Sequence, residues 1–156
     1  MGEFKPIEIE KILENVKRDL HSKLVAAKAH IEITPLNHNI IGDEVLIYQL
    51  FQNLISNAIK YSRSDVQTKI SIKHTMQDDY LMITVKDNGI GIEDSTQDIF
   101  NLFTRSNNAS TKEGYGIGLA TCKEVMEIHS GKIDYKSELG VGTSFNLYFK
   151  TFRPKE

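Results

Sequence analysis

Three short segments hold the residues best suited to chemistry. In the stretch beginning Gly42-Asp43-Glu44, Asn53, Asn57 and Tyr61 recur at i, i+4 and i+8, with Lys60 at i+7, so a helix would set all four on one face. That face adjoins an apolar stripe of Leu46, Leu50, Leu54 and Ala58. Two carboxamides would therefore lie at the edge of a core, where an unpartnered amide costs roughly 1–3 kcal/mol. A carboxamide oxygen can ligate Mg²⁺ when phosphate oxygens and waters complete the octahedron. A capped or water-bridged pair of core amides fits the same spacing equally well. The second segment, Asp87-Asn88-Gly89-Ile90-Gly91, follows a run of strand character. A carboxylate at a strand end can accept from an amino group such as adenine's, while glycines let the backbone close around a flat ring. Taken alone, such a tripeptide is more often a plain turn. The third, Gly114-Tyr115-Gly116-Ile117-Gly118-Leu119, opens a helix with alternating glycines and would present backbone N–H groups to phosphate at the positive end of the dipole. It is neither a Walker loop nor the dinucleotide fingerprint, and by itself it is a weak signal.

The elements that must carry these segments can be read from periodicity. Apolar residues Ile9, Ile12, Leu13, Val16, Leu20 and Leu24 make one stripe, predicting a single amphipathic helix over residues 7–28. Ile31 and Ile33 alternate with polar neighbours before Pro35, and Asn39 to Gly42 follow, giving two brief strands. Asp43 is a suitable N-cap for a helix over 43–61. Alternation over 69–75 and 81–85 around Gln77-Asp78-Asp79 predicts a hairpin that delivers the chain to Asp87. Between Gly91 and Gly114 lies a polar stretch centred on residues 106–113 with little to bury, the signature of a lid. Leu119, Cys122, Val125, Met126 and His129 form another helical face, with Gly131 expected to take the left-handed cap. Strands over 132–137 and 144–150 flank a turn containing Gly140, Gly142 and Thr143. Adjacent hairpins mixed with helices give an α+β class: a mixed, mostly antiparallel sheet with helices on one face.

Composition bounds the possibilities. At 156 residues, 40% hydrophobic and 26% charged, residues 5–156 make one domain; the opening Met1-Gly2-Glu3-Phe4 reads as a cloning remnant. A single cysteine, Cys122, leaves no disulfide framework. No apolar run exceeds four residues, so the expectation is a soluble intracellular chain. A net charge of -2 and a pI near 6.2 argue against the broad basic surface that nucleic-acid binding needs, so any anion site must be local.

Paired Asn with Lys on a helix, strand-Asp-x-Gly-x-Gly, a polar lid, Gly-x-Gly-x-Gly opening a helix and then Gly140-Val141-Gly142-Thr143 occur once each, in this order. The chain thereby resembles the ATP-binding catalytic domain of sensor histidine kinases, in the superfamily of gyrase, the heat-shock chaperone and mismatch-repair ATPases. The resemblance spans residues 7–149. It implies a Bergerat-type two-layer α/β sandwich that binds ATP and Mg²⁺, with Asn57 as metal ligand, Asn53 and Lys60 at the phosphates and Tyr61 beside the nucleoside. It further implies Asp87 on the adenine amine with Gly89 and Gly91 allowing close approach, and Thr143 near the adenine pocket. Gly114, Gly116 and Gly118, leading into Leu119, would wrap the phosphates. Ile99-Phe100-Asn101-Leu102-Phe103 looks like the phenylalanine box that anchors the lid, and Arg105 falls where many members keep a phosphate-facing arginine. The implied partners are a dimerisation and phosphoacceptor domain of a homodimeric parent and a downstream response regulator. The implied location is cytoplasmic, whether or not the parent is membrane-anchored.

Hydrolysing members of the superfamily place a glutamate four residues before the metal asparagine; here Asn53 stands there, an amide with no useful basicity. Transfer to a histidine is thus favoured over hydrolysis, because neutral imidazole is already nucleophilic. An anti-sigma-factor-type serine kinase and a non-catalytic ATP-binding module are the alternatives. The segment His30-Ile31-Glu32-Ile33-Thr34-Pro35-Leu36 imitates a phosphoacceptor motif, but it lies only 23 residues before Asn57 (from Thr34) and alternates like a strand.

Overall fold

In the computed structural model, residues 2–92, 99–100 and 115–151 are described. The chain begins with β1 (Lys5–Glu8), α1 (Ile9–Asp19) and α2 (His21–Ala26), in place of one helix over 7–28. Pro6 holds the backbone extended, and Ile7 buries itself against β3 (Asn39–Gly42) in an antiparallel pair, Ile7 opposite Ile40. At Leu20 the backbone turns out of the helical region, with φ -93° and ψ 9°, while its N–H still donates to Val16. The apolar stripe nonetheless stays continuous through Leu24. Lys28 then adopts φ 51°, and Ala29 N–H donates to Leu24, closing the helix without glycine.

Among the described residues the main sheet has five strands in the order β2 (His30–Ile33), β4 (Lys69–Gln77), β5 (Tyr80–Asp87), β7 (Gly142–Lys150) and β6 (Lys132–Glu138). The β2–β4 pair is parallel and the others antiparallel. The two brief predicted strands therefore separate, β2 joining the large sheet and β3 pairing with β1. His30 to Ile33 is strand, as its alternation requires. The predicted hairpins form around Asp78-Asp79 and around Leu139-Gly140-Val141. Thr143, assigned to the second turn from sequence, lies inside β7.

One face of the sheet buries Ile70, Ile72, Leu81, Ile83, Val85, Phe145, Leu147 and Phe149. The opposite face is polar and includes the Thr84 to Asn146 to Asp134 side-chain hydrogen bonds. This is a two-layer α+β sandwich with its core between sheet and helices. Across that core lie α1, α3 (Glu44–Lys60) and α4 (Tyr115–Ile128). The Asp43 side chain caps α3 by accepting from Val45 and Leu46 N–H, and Ile47, Leu50, Phe51, Leu54, Ile55 and Ala58 face inward. At the far end of α4 the left-handed residue is Ser130, with φ 58°, and not Gly131. Gly131 is required for a different reason: a Cβ there would stand 2.2 Å from the Tyr148 carbonyl oxygen. His129 ties α4 to the start of α3: its Nδ1 lies 2.7 Å from the Val125 carbonyl oxygen, and its Nε2 accepts the Asp43 N–H at 3.0 Å. With Nε2 accepting, the donor on this ring is Nδ1, toward the Val125 carbonyl. Phe4 stacks on this ring and Gly2 N–H donates to Asp43, so the opening residues make specific contacts.

Candidate functional site

Asp87 ends β5, and the chain then leaves the sheet to bond the end of α3, Ile90 N–H donating to the Tyr61 carbonyl. Its Oδ1 accepts two backbone N–H bonds, from Gly89 at 2.8 Å and from Thr143 of β7 at 3.3 Å. Burial raises the carboxyl's pKa above its ordinary 3.8, and those two N–H groups act against the rise. Among the described residues nothing donates to Oδ2. One oxygen is thus fixed by the fold while the other is left as an acceptor.

The loop behind Asp87 closes onto the end of α3. A Cβ on Gly89 would lie 2.5 Å from the Tyr61 carbonyl oxygen, so only glycine permits that approach. The same carbonyl accepts from Ile90 N–H at 2.9 Å. Gly91 has φ 78°, and a Cβ there would meet the Glu138 carbonyl at 2.3 Å. Arg63 completes the junction, its Nε donating to the Asn88 carbonyl and its Nη1 to the Gly140 carbonyl, at 3.0 and 2.6 Å. Asn88 is itself fastened on both sides, accepting from Lys69 N–H and donating to the Gln67 carbonyl.

On α3, Asn53, Asn57 and Lys60 line a cavity of about 600 Å³ together with Lys23, Ser56, Ile59 and Gly118. The i, i+4, i+7 spacing accounts for the three from α3; Lys23 arrives from α2. Asn53 lies within hydrogen-bond reach of Cys122 on α4; burial pushes that thiol up to about 12, and Asn53 pulls it the other way. Asn57 differs. Its Nδ2 is buried without a hydrogen-bond partner among the described residues, 3.9 Å from where a Cβ on Gly118 would sit. Amide orientation is decided by the hydrogen bonds around it, and a flip would put the carbonyl oxygen at that unsatisfied position. The donor set therefore fits a hard cation such as Mg²⁺ that takes its other ligands from phosphate and water. Tyr61 is 3% exposed and lies outside the residues lining this cavity; the Lys60 ammonium stands 5.6 Å from its ring centroid.

The remaining sequence candidates divide. Gly116 and Gly118 lie in the first turns of α4. Leu119 is fully enclosed in the core, so it orients α4 by packing. Phe100 packs edge-on against Tyr135 and Phe145, at 5.8 and 6.3 Å between centroids, as an anchoring aromatic would. Arg105, Gly114, the segment 106–113 and residues 101–103 lie outside the described residues. Sequence reasoning missed Lys23, Arg63 and Ser137, and gave Asn88 no role of its own. Ser137 binds Thr143 and Ile92, yet nothing in its spacing marks it out.

Residues 42–153 match the family described as "Histidine kinase-, DNA gyrase B-, and HSP90-like ATPase". Cyanobacterial phytochrome A of Nostoc sp. is 39% identical over 143 residues, covering 91% of this chain and 18% of that protein. Sensor protein kinase WalK of Staphylococcus aureus is 43% identical over 99 residues, 62% of this chain and 24% of the relative. The chain thus spans under a third of these relatives' length. The catalytic domain of histidine kinase ThkA superposes with a TM-score of 0.79 at 22% identity, covering 96% of this chain and 99% of that domain. ThkA in complex with response regulator protein TrrA superposes with a TM-score of 0.75 at 20% identity, over 96% of this chain and 42% of that one. Among the described residues no helix is long and apolar enough to cross a membrane.

Proposed function

Since the chain belongs to the histidine kinase-, DNA gyrase B- and HSP90-like ATPase family, we propose that it is the ATP–Mg²⁺-binding catalytic domain of a two-component sensor histidine kinase. It donates the γ-phosphoryl group to a histidine on a separate dimerisation and phosphoacceptor domain. The observation that carries this reading is the junction of Gly89 with Tyr61, which joins a strand-end carboxylate to the helix bearing Asn53, Asn57 and Lys60. Asp87 Oδ2 takes the adenine amine. The phosphates extend toward the cavity lined by Lys60 and Gly118. Asn57 would hold Mg²⁺, which when bound would supply charge neutralisation at the transferring phosphoryl group. Asn53 places an amide, with no proton-accepting carboxylate, beside the phosphate end, so water gains no activation there. The parent acts as a homodimer on the cytoplasmic side and passes phosphate to a response regulator.

Incubation with γ-labelled ATP and Mg²⁺, alone and with a histidine-bearing phosphoacceptor domain in trans, tests this. The expected result is acid-labile label on the acceptor histidine and background phosphate release by the chain alone. Acid-stable label on serine would support the serine-kinase reading instead, and binding without any transfer the non-catalytic one. For Asn57→Ala, ATP affinity measured calorimetrically in Mg²⁺ should fall about ten- to hundredfold, the scale of one charged contact. In chelator the variant should match the unsubstituted chain. A variant that keeps the full Mg²⁺ dependence would remove Asn57 as ligand.

A further inference from the structure

Arg63 lies just past the end of α3 and reaches two segments with one guanidinium. Its Nε donates to the Asn88 carbonyl at 3.0 Å and its Nη1 to the Gly140 carbonyl at 2.6 Å. The Asn88 carbonyl belongs to the same peptide unit as the Gly89 N–H, and that N–H donates to Asp87 Oδ1 at 2.8 Å. The unit is planar and trans, so its C=O and N–H point in opposite directions. Guanidinium and carboxylate therefore stand at the two ends of one rigid amide.

Two effects follow from this link. Turning the peptide so that Gly89 N–H leaves Asp87 would also break the bond to Arg63, so the donor is held in place. A cation on the carbonyl also polarises the amide and makes its N–H the stronger donor. The second arm acts on the other side of the carboxylate. Gly140 lies in the turn between β6 and β7, and its own N–H donates to the Ile90 carbonyl at 2.8 Å. That turn leads into Thr143, whose N–H is the other donor to Asp87 Oδ1. Both groups that pin Oδ1 are thus on segments clasped by one side chain. The ion pair of Arg63 with Asp65 is weak by comparison, at 4.0 Å and with the Asp65 side chain 71% exposed.

We propose that Arg63 is a positioning residue for the nucleoside: through the Asn88–Gly89 peptide it holds Asp87 Oδ1 and so aims Oδ2 at the ligand. The inference rests on the reading of Asp87 as the adenine acceptor and adds to it the side chain that orients the carboxylate. With Oδ1 pinned before the ligand arrives, binding does not have to order the acceptor. Without Arg63 the loop keeps the bonds of the Asn88 side chain to Gln67 and Lys69, which hold that residue but leave its carbonyl untied.

The test is a double-mutant cycle in ATP affinity, measured calorimetrically on the unsubstituted chain, Arg63→Ala, Asp87→Asn and the two combined. Arg63→Ala should weaken ATP binding about five- to tenfold, and Arg63→Lys, which keeps the charge but loses the fork, should fall between it and the unsubstituted chain. In the Asp87→Asn background the same change should cost less than about twofold, because the ionised acceptor is already gone. In the ligand-free chain the Gly89 amide proton resonance should move upfield in Arg63→Ala as its bond to Asp87 weakens. Losses that are equal in both backgrounds would make Arg63 a merely structural clasp and overturn the inference, as would a Gly89 resonance that stays in place. If Arg63→Ala does not fold, Arg63→Gln enters the same cycle and the same outcomes decide. A chain whose ATP affinity depends on Asp87 but not on Arg63 refutes the inference alone. One whose ATP affinity is unmoved by Asp87→Asn refutes the adenine assignment beneath it.

Discussion

Asp87→Asn should weaken ATP binding by about 1.5–3 kcal/mol, or roughly ten- to hundredfold, the cost of losing a charge-assisted hydrogen bond to a half-buried acceptor. Folding should survive the change, because an amide oxygen can still accept from Gly89 and Thr143 N–H. The pH dependence separates the two effects by sign. Burial raises the folded pKa of Asp87 above 3.8, so between 3.8 and that raised value the folded chain holds the proton more than the unfolded chain does. Its contribution to stability is therefore complete below 3.8 and is lost as pH rises through the folded pKa. Nucleotide affinity runs the other way. The adenine amine needs the ionised acceptor, so affinity declines as pH falls through the same pKa. Thermal unfolding and calorimetric titration across this acidic window should show opposite slopes, both flattened in Asp87→Asn. Unchanged ATP affinity in the variant at neutral pH would refute the adenine assignment.

Phe51→Ala should cost about 3–5 kcal/mol of folding stability, from lost apolar transfer and the cavity left behind. Phe51 is fully buried on α3 and its ring lies 6.5 Å from that of Phe149, across the interface between helix and sheet. For a chain of this size each kcal/mol is worth roughly 2–4 °C, so the melting temperature should drop by about 6–20 °C. The substitution faces the sheet, while Asn53, Asn57 and Lys60 face the cavity. Well below its own melting temperature the variant should bind ATP within about threefold of the unsubstituted chain, less than 1 kcal/mol. A loss under 1 kcal/mol in denaturant unfolding would mean that α3 is not held by this contact.

These expectations differ in how directly they follow from the order of residues. The helix predicted over 43–61 appears as Glu44–Lys60 with Asp43 as its cap, because cap, apolar stripe and polar face are all local in sequence. The hairpins, too, could be read from alternation. The opening strand could not. Four residues of β1 carry too little periodicity to register, and they become strand only because Ile40 is available to cover Ile7. The left-handed residue after α4 was misassigned to glycine, since local propensity ignores the Tyr148 carbonyl that occupies the space beside Gly131.

The candidate site divides along the same line. Spacing alone put Asn53, Asn57 and Lys60 on one helical face and Asp87 at a strand end, since helix and strand periods are properties of the local backbone. Which oxygen of Asp87 stays open, that Lys23 joins the cavity, that Arg63 fastens the base loop and that Ser137 meets Thr143 were decided by the packing of strands and helices distant in the chain. Hydrogen-bond direction depends on which donors and acceptors finally meet, and that is fixed only when the sheet closes.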